Sequence, residues 1–181
     1  MSSLGTTPKI RLANVEDLPN INQLFKEIVY DINNVKKINM LWNDEYPFCV
    51  LEKSIKNKEM YLIEFNNKII GSFTLSTFDN PSYHAINWTS NNKWFYLNRL
   101  VVLPSEQGKG YAKYALKFVD KYAMENNYKV IRLTVHKDNK YAIGLYEQFG
   151  FIKIKDSNLI LDNEVYYAFE KEVYQIWIKE L

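Results

Sequence analysis

Two short stretches of this chain hold residues whose types and spacing suit chemistry. In the first, Gln107-Gly108-Lys109-Gly110-Tyr111-Ala112, two glycines stand between an apolar run and a helical pattern. A glycine-bearing turn there lets backbone N–H groups approach a ligand with no Cβ in the way. The helix that follows adds about half a positive charge at the same point. Such a turn suits a pyrophosphate. In the second stretch, Asn139, Ala142 and Tyr146 fall at i, i+3 and i+7, so an amide, a small residue and a phenol share one helical face.

Spacing narrows the choice of phosphate ligand. A Walker A loop needs its second glycine followed by Lys and Ser or Thr, and Gly110 is followed by Tyr111-Ala112. The dinucleotide fingerprint GxGxxG meets Lys113 where its third glycine belongs, with no N-terminal βαβ unit to hold it. Both readings fail.

The elements that must position these stretches can be read from periodicity. Ile10-Arg11-Leu12 alternates as a short strand, and Asn14 with Asp17 resembles a capping box that opens a helix over 15–30. The polar stretch 31–47 reads as irregular, with a second helix after Pro47. Residues 60–65 and 68–75 flank Asn66-Asn67 as a β-hairpin, because Asn tolerates the positive φ of tight turns. After a loop over 78–92, Trp94 to Val102 forms an apolar, β-rich run that reads as a central strand. The glycine turn then opens a helix that runs to about Glu125. Residues 130–135 form the next strand, and strand, crossover helix, strand implies a parallel pair. A helix over 139–149 closes on Gly150. Residues 151–155 and 165–173 read as final strands joined by a polar loop over 156–164. The expectation is an α/β (α+β) domain over residues 9–181, a mixed sheet with helices on both faces, behind a flexible lead over 1–8.

The glycine turn resembles the acyl-CoA loop of the GCN5-related N-acetyltransferase (GNAT) family, Gln/Arg-x-x-Gly-x-Gly/Ala, with Gln107, Gly110 and Ala112 at its specified positions. The stretch from Asn139 to Phe151 resembles the family's Asn-x-x-Ala-x-x-Leu-Tyr-x-x-x-Gly-Phe at every specified position. Ile10-Arg11-Leu12-Ala13 with Asp17 looks like the family's first strand and helix. The resemblance covers most of the chain and is densest over 97–151. It implies a GNAT fold: a mostly antiparallel sheet with one splayed parallel pair. It also implies acetyl-CoA as co-substrate; no metal is expected, since neither His nor the lone Cys has a ligand-spaced partner. Leu100, Val101 and Val102 would lie beside the pantetheine arm, and Gln107, Gly108, Lys109, Gly110, Tyr111 and Ala112 on the pyrophosphate, with Lys113 near a phosphate. Asn139 would touch the CoA arm, and Ala142 would share the face that looks toward the splayed strand. Tyr146 would be the general acid that protonates the leaving thiolate. A backbone N–H near Val101 or Val102 would serve the oxyanion.

The general base is not evident. A carboxylate often stands on the central strand in this family, whereas this strand offers Asn98 and Arg99; Glu64, Glu45 and Asp44 are substitutes, and solvent could serve an amine of low pKa. His84 and His136 lack a matching carboxylate spacing. The family sets the acceptor by its variable segments, here 31–47, 78–92 and 156–164. Trp42, Tyr46, Tyr83 and Trp88 suit a partly aromatic pocket, and Asp44, Glu45 and Asp79 could meet a cationic amine.

Composition excludes other classes. The chain has 181 residues, 47% of them hydrophobic and 15% aromatic, which is enough for a core and argues against disorder. Its 23 basic residues face 21 acidic ones, for a net charge of +2, and the lysines are scattered without the stripe a nucleic acid needs. No apolar run reaches the ~20 residues of a membrane span, and the start carries no secretory signal pattern. The single Cys49 suits a reducing compartment, so a cytoplasmic setting is expected. The leading expectation is an N-acetyltransferase acting on a small-molecule amine. Its rivals are transfer to a protein or peptide amine and an acyl-CoA-binding sensor without turnover. Family analogy adds a homodimer through the terminal strands and the Trp177 tail.

Overall fold

Asn66 and Asn67 both adopt positive φ, 50° and 60°, and so turn β2 (Met60–Phe65) directly into β3 (Lys68–Ser76), as the sequence predicts. The computed structural model describes residues 7–174. Among them a seven-stranded sheet runs in the order β1-β2-β3-β4-β5-β7-β6, with β1 at Lys9–Leu12, β4 at Trp94–Val102, β5 at Val130–His136, β6 at Ile152–Leu161 and β7 at Glu164–Glu172. Every neighbouring pair is antiparallel except β4 and β5. This is the α+β mixed sheet expected. The flexible lead mostly, and Trp177 entirely, lie outside the described residues.

Each face of the sheet carries two helices. On one, α1 (Leu18–Tyr30) and α2 (Phe48–Lys56) bury Ile21, Phe25 and Leu51 against Met60, Leu62 and Val101. On the other, α3 (Tyr111–Glu125) and α4 (Lys140–Gln148) bury Ala115, Val119 and Leu145 against Phe73, Phe95 and Leu97. The capping box forms: Asn14 Oδ1 accepts from the Asp17 N–H at 3.2 Å and Asp17 Oδ2 from the Asn14 N–H at 2.9 Å, although the first turn is 3₁₀ and α1 starts at Leu18. Arg11 donates to both Asp17 and Glu64 and ties β1 to that helix start. Its hydrogen bonds hold the Asp17 carboxyl below the usual carboxylate range.

One predicted loop is wrong. Residues 156–164 are mostly strand, and the turn shrinks to Asp162-Asn163, both at positive φ. The strand is at the sheet edge and buries only Ile154, Ser157 and Leu159. Apart from half-buried Leu161, its remaining residues face solvent and mimic loop composition. A register shift between Lys153 and Asn158, with Asp156 at φ 53°, further hides the two-residue period.

The feature that positions the site is an irregularity in β4. Ser72 pairs with Val101 and Thr74 with Asn98, so two steps on β3 oppose three on β4. The extra residue is Arg99, at φ 50°. The bulge reverses the alternation of β4: Phe95 and Leu97, then Leu100 and Val102, contact the core beneath α3, whereas Val101 enters the core beneath α1. Opposite it stands Gly71, where a Cβ would come 2.5 Å from the Val101 carbonyl oxygen. A side chain at 71 pushes the bulged strand away. Gly71→Ala is therefore expected to lower stability by about 1–3 kcal/mol, read as a drop of several degrees in the thermal midpoint; an unchanged midpoint would show that the close approach is not required.

Candidate active site

β4 and β5 pair over only three rungs, Trp94–Val130, Phe95–Ile131 and Tyr96–Arg132, and then part. From Leu97 onward the edge of β4 that faces β5 has no strand beside it. The Leu103 N–H donates to Ile70 O at 2.8 Å, so the alternation aims the peptide groups of Leu100 and Val102 into the gap. A cavity of about 1050 Å³ fills it, running from Gly108 and Gly110 past Leu100 and Val102 to Tyr83 and Tyr166.

At one end lies the glycine turn. Gly108 and Gly110 hold φ of 78° and 89°, the left-handed region that an L side chain resists. Gly110 is the N-cap of α3 and offers no side chain to cap it. Among the described residues, no N–H from Gly108 to Lys113 donates to a protein acceptor; the next, that of Tyr114, bonds to Gly110 O. Six consecutive N–H groups are therefore left without a protein partner at the N-terminus of α3. Gln107, Gly108, Gly110, Tyr111, Ala112 and Lys113 all line the cavity, whereas Lys109 does not and instead pairs with Glu106 at 3.0 Å. The Gln107 side chain is committed within the protein: Nε2 donates to Val102 O at 2.9 Å and Oε1 accepts from Lys36 at 2.9 Å. It pins the turn to the end of β4. Lys36, which also pairs with Asp31 at 2.8 Å, was not evident in the sequence because residues 31–35, a π-helical turn, carry it to the glycines from far along the chain.

Across the gap stands α4. Asn139 caps it, accepting from the Ala142 N–H at 3.2 Å, and Asn139, Ala142 and Tyr146 all line the cavity. Tyr146 is buried against Phe151, and its hydroxyl makes no hydrogen bond to the described residues. Burial pushes its pKa well above that of an ordinary phenol. The group is a protonated donor with nothing in the protein to donate to.

The far end of the cavity sorts the acceptor candidates. Trp42, Tyr46, Tyr83 and Glu45 line it. Trp88 does not: it covers the Arg132 guanidinium, 4.6 Å from the ring centre, while Arg132 pairs with buried Glu170. Asp44 and Glu64 are also off the cavity, Glu64 being held by Arg11, and Asp79 faces a separate hollow with His84. His136 lines the cavity with both ring nitrogens engaged, Nδ1 by the Asp138 N–H at 3.2 Å and Nε2 by Glu164 at 2.9 Å. Arg99, Asn98, Thr134 and Tyr166 are lining residues that sequence reasoning did not assign to the acceptor end. The alternation of β4 could have exposed Arg99: Leu97 and Leu100 stand three apart in an otherwise apolar strand.

A family model described as the acetyltransferase (GNAT) family matches residues 23–151. Among solved structures, a GNAT-family acetyltransferase from Streptococcus agalactiae superimposes with a TM-score of 0.78 at 18% identity, over 94% of this chain and 98% of that one. One from Listeria monocytogenes gives 0.74 at 20% identity, over 91% and 94%. The PaiA N-acetyltransferase from Thermoplasma acidophilum, solved in complex with coenzyme A, gives 0.66 at 20% identity, over 92% and 99%. Among the described residues no helix is long and apolar enough to cross a membrane.

The buried phenols set an alkaline limit on stability. Burial raises Tyr83, Tyr96 and Tyr146, and pushes Tyr61 up to about 12. An acid whose folded pKa is raised contributes stability that is fully present below its unfolded pKa, about 10, and that is lost as pH rises toward the folded value. Chemical denaturation is thus expected to show stability declining above about pH 10, with a shallower decline in Tyr146→Phe. An equal decline in the two proteins would contradict the burial of that hydroxyl.

Proposed function

This chain belongs to the GNAT acetyltransferase family, and we propose that it transfers the acetyl group of acetyl-CoA to a primary amine of a small molecule. The observation that carries the reading is the single cavity joining the row of free N–H groups at Gly108–Lys113, the unpaired edge of β4 and the Tyr146 hydroxyl. A pyrophosphate suits those N–H groups, since backbone donors and a helix N-terminus stabilise an anion without a cationic side chain. In this reading Gln107 holds the turn in place, Lys113 stands near a phosphate, and Lys109 and Tyr111 complete the loop. Leu100, Val101 and Val102 lie beside the pantetheine arm. The arm completes the interrupted sheet through the peptide groups of Leu100 and the N–H of Val102, which the missing strand leaves unpaired, while the Val102 carbonyl is taken by Gln107. Asn139 and Ala142 bound it from α4.

The chemistry then needs little from side chains. An amine arriving as the ammonium first gives a proton to solvent, and Glu45 is the carboxylate on the cavity wall among those the sequence offers. The nitrogen lone pair attacks the thioester carbonyl. As the C–N bond forms and the C–S bond breaks, Tyr146 gives its proton to the departing thiolate, and the proton shed by the nitrogen restores the phenol through solvent. A phenol kept protonated by burial can donate at any pH at which the amine is nucleophilic.

A small acceptor is favoured over a polypeptide by the roof of the far end. The segment over 38–42 is fastened across β7: the Leu41 N–H donates to the Tyr166 hydroxyl at 3.1 Å, and Asn39 donates to Glu164. A peptide chain would need an open groove there. Cys49 is free, which suits the reducing cytoplasm as the setting.

Incubating the protein with acetyl-CoA and a panel of small amines and peptide N-termini, and reading free thiol, tests this directly. Release with small amines is expected; release only with peptides would reverse the acceptor class, and CoA binding without release would indicate a sensor. Tyr146→Phe keeps the packing and removes the hydroxyl, so kcat should fall about 10²-fold with little change in CoA affinity. Unchanged turnover would remove Tyr146 as the acid.

A further inference from the structure

Of the three arginines in the chain, two are matched to acids and one is not. Arg11 pairs with Asp17 and Glu64, and Arg132 with Glu170. Arg99 donates from Nη2 to two neutral hydroxyls, Ser54 Oγ at 3.0 Å and Thr74 Oγ1 at 3.2 Å, and no carboxylate among the described residues lies within ion-pair reach. Its Nε is buried and has no partner. A partly buried guanidinium with unspent donors and no counter-ion is costly to keep unless something else brings an anion to it.

Arg99 also lines the cavity, at the end away from the glycine turn. Its hydrogen-bond partners, Ser54 and Thr74, are neutral. The Tyr83 phenol, kept protonated by burial, lies within the field of the Arg99 charge and shares a 3.4 Å hydrogen bond with Thr134. Tyr46 and Asn98 line the same region. Of the other cations on the cavity wall, Lys36 is held by Asp31 and Gln107, Lys113 is in the first turn of α3 beside the glycine turn, and Lys140 is exposed and donates to the Lys137 carbonyl oxygen at 2.8 Å. Close to Arg99 the acceptor end therefore presents one guanidinium, on a planar fork, among hydroxyl and amide groups, with Glu45 and Asp162 as acids elsewhere on the cavity wall and out of ion-pair reach. One guanidinium matches one carboxylate, and a dianionic phosphate would call for a second cation.

We propose that the amine acetylated at this site carries a carboxylate, and that Arg99, held out of the strand by the β4 bulge, is the group that binds it. The proposal rests on the acetyl-transfer reading above and adds the acceptor class, an amino acid or a related amino carboxylate. Glu45, on the same wall, is the group of opposite sign that an amino acid's ammonium could face.

The test compares amino acids with their own carboxamides, with the matching amines that lack the group, and with the matching aminoalkyl phosphonates, using acetyl-CoA and thiol release. The native protein should favour acid over carboxamide by about 10- to 100-fold in kcat/KM, the range of one charge-assisted contact. In Arg99→Gln, whose amide can still reach Ser54 or Thr74, that ratio should collapse toward one while the KM for acetyl-CoA holds. Equal use of acids and carboxamides by the native protein would overturn the carboxylate assignment and leave acetyl transfer standing, and so would a preference for phosphonates. A second measurement needs no turnover: thermal stabilisation by N-acetyl amino acids over their carboxamides, in the presence of CoA. Stabilisation that Arg99→Gln abolishes supports the carboxylate site even if no amine is acetylated, a result that would count against the transferase reading alone. The absence of any such difference in the native protein would overturn the site.

Discussion

The site exists because two parallel strands stop pairing. β4 and β5 share three rungs and then separate, leaving a strand edge in the middle of the sheet without its hydrogen-bonding neighbour. Unpaired peptide groups in a protein interior carry a cost comparable to a lost hydrogen bond, so such an edge persists only where a ligand or water can meet it. The bulge at Arg99 accompanies the parting. It places a non-glycine residue at positive φ, a strain of about 1–3 kcal/mol, and Gly71 is the residue whose missing side chain lets β3 follow the distorted strand. Cavity, unpaired edge and the aim of Arg99 all follow from that one displacement.

The near balance of charge in the sequence becomes intelligible in the same terms. A polyanionic co-substrate is ordinarily associated with a basic surface, and this chain has a net charge of only +2. In the proposed reading, the six free N–H groups after Gln107 and the axis of α3 supply an anion site from the backbone. Side chains are thereby released for other work. Gln107 spends both ends of its amide holding the turn between Val102 and Lys36, and Arg99 spends its charge at the opposite end of the cavity.

Much of this was legible in the residues. Asn66-Asn67 announce a hairpin, the apolar run marks the strand from Trp94 to Val102 to the residue, and the glycines mark the turn at the head of α3. These signals are local: a turn needs particular φ values and a helix start needs particular caps. What escaped was set by distant contacts or by broken period. The second half of the edge strand β6 buries too few residues to alternate visibly and reads as a loop, although its first half, 152–155, reads as strand. Lys36 and Tyr166 reach the cavity only through tertiary folding. Glu64 looked available as a base, and only the structure shows it bound to Arg11. Arg99 was noticed merely as the absence of an acid, because the bulge that redirects it has no sequence signature beyond an irregular spacing of Leu97 and Leu100.

We propose that backbone N–H groups, left free by the parted strands and the glycine turn, grip the co-substrate. Amide resonances of the labelled protein titrated with coenzyme A test it most directly. The largest shifts and the greatest gain in hydrogen-exchange protection should fall on Gly108–Lys113 and on Leu100 and Val102, with the β1–β2 side of the sheet unmoved. Saturable binding that leaves those amides unshifted and unprotected would contradict it.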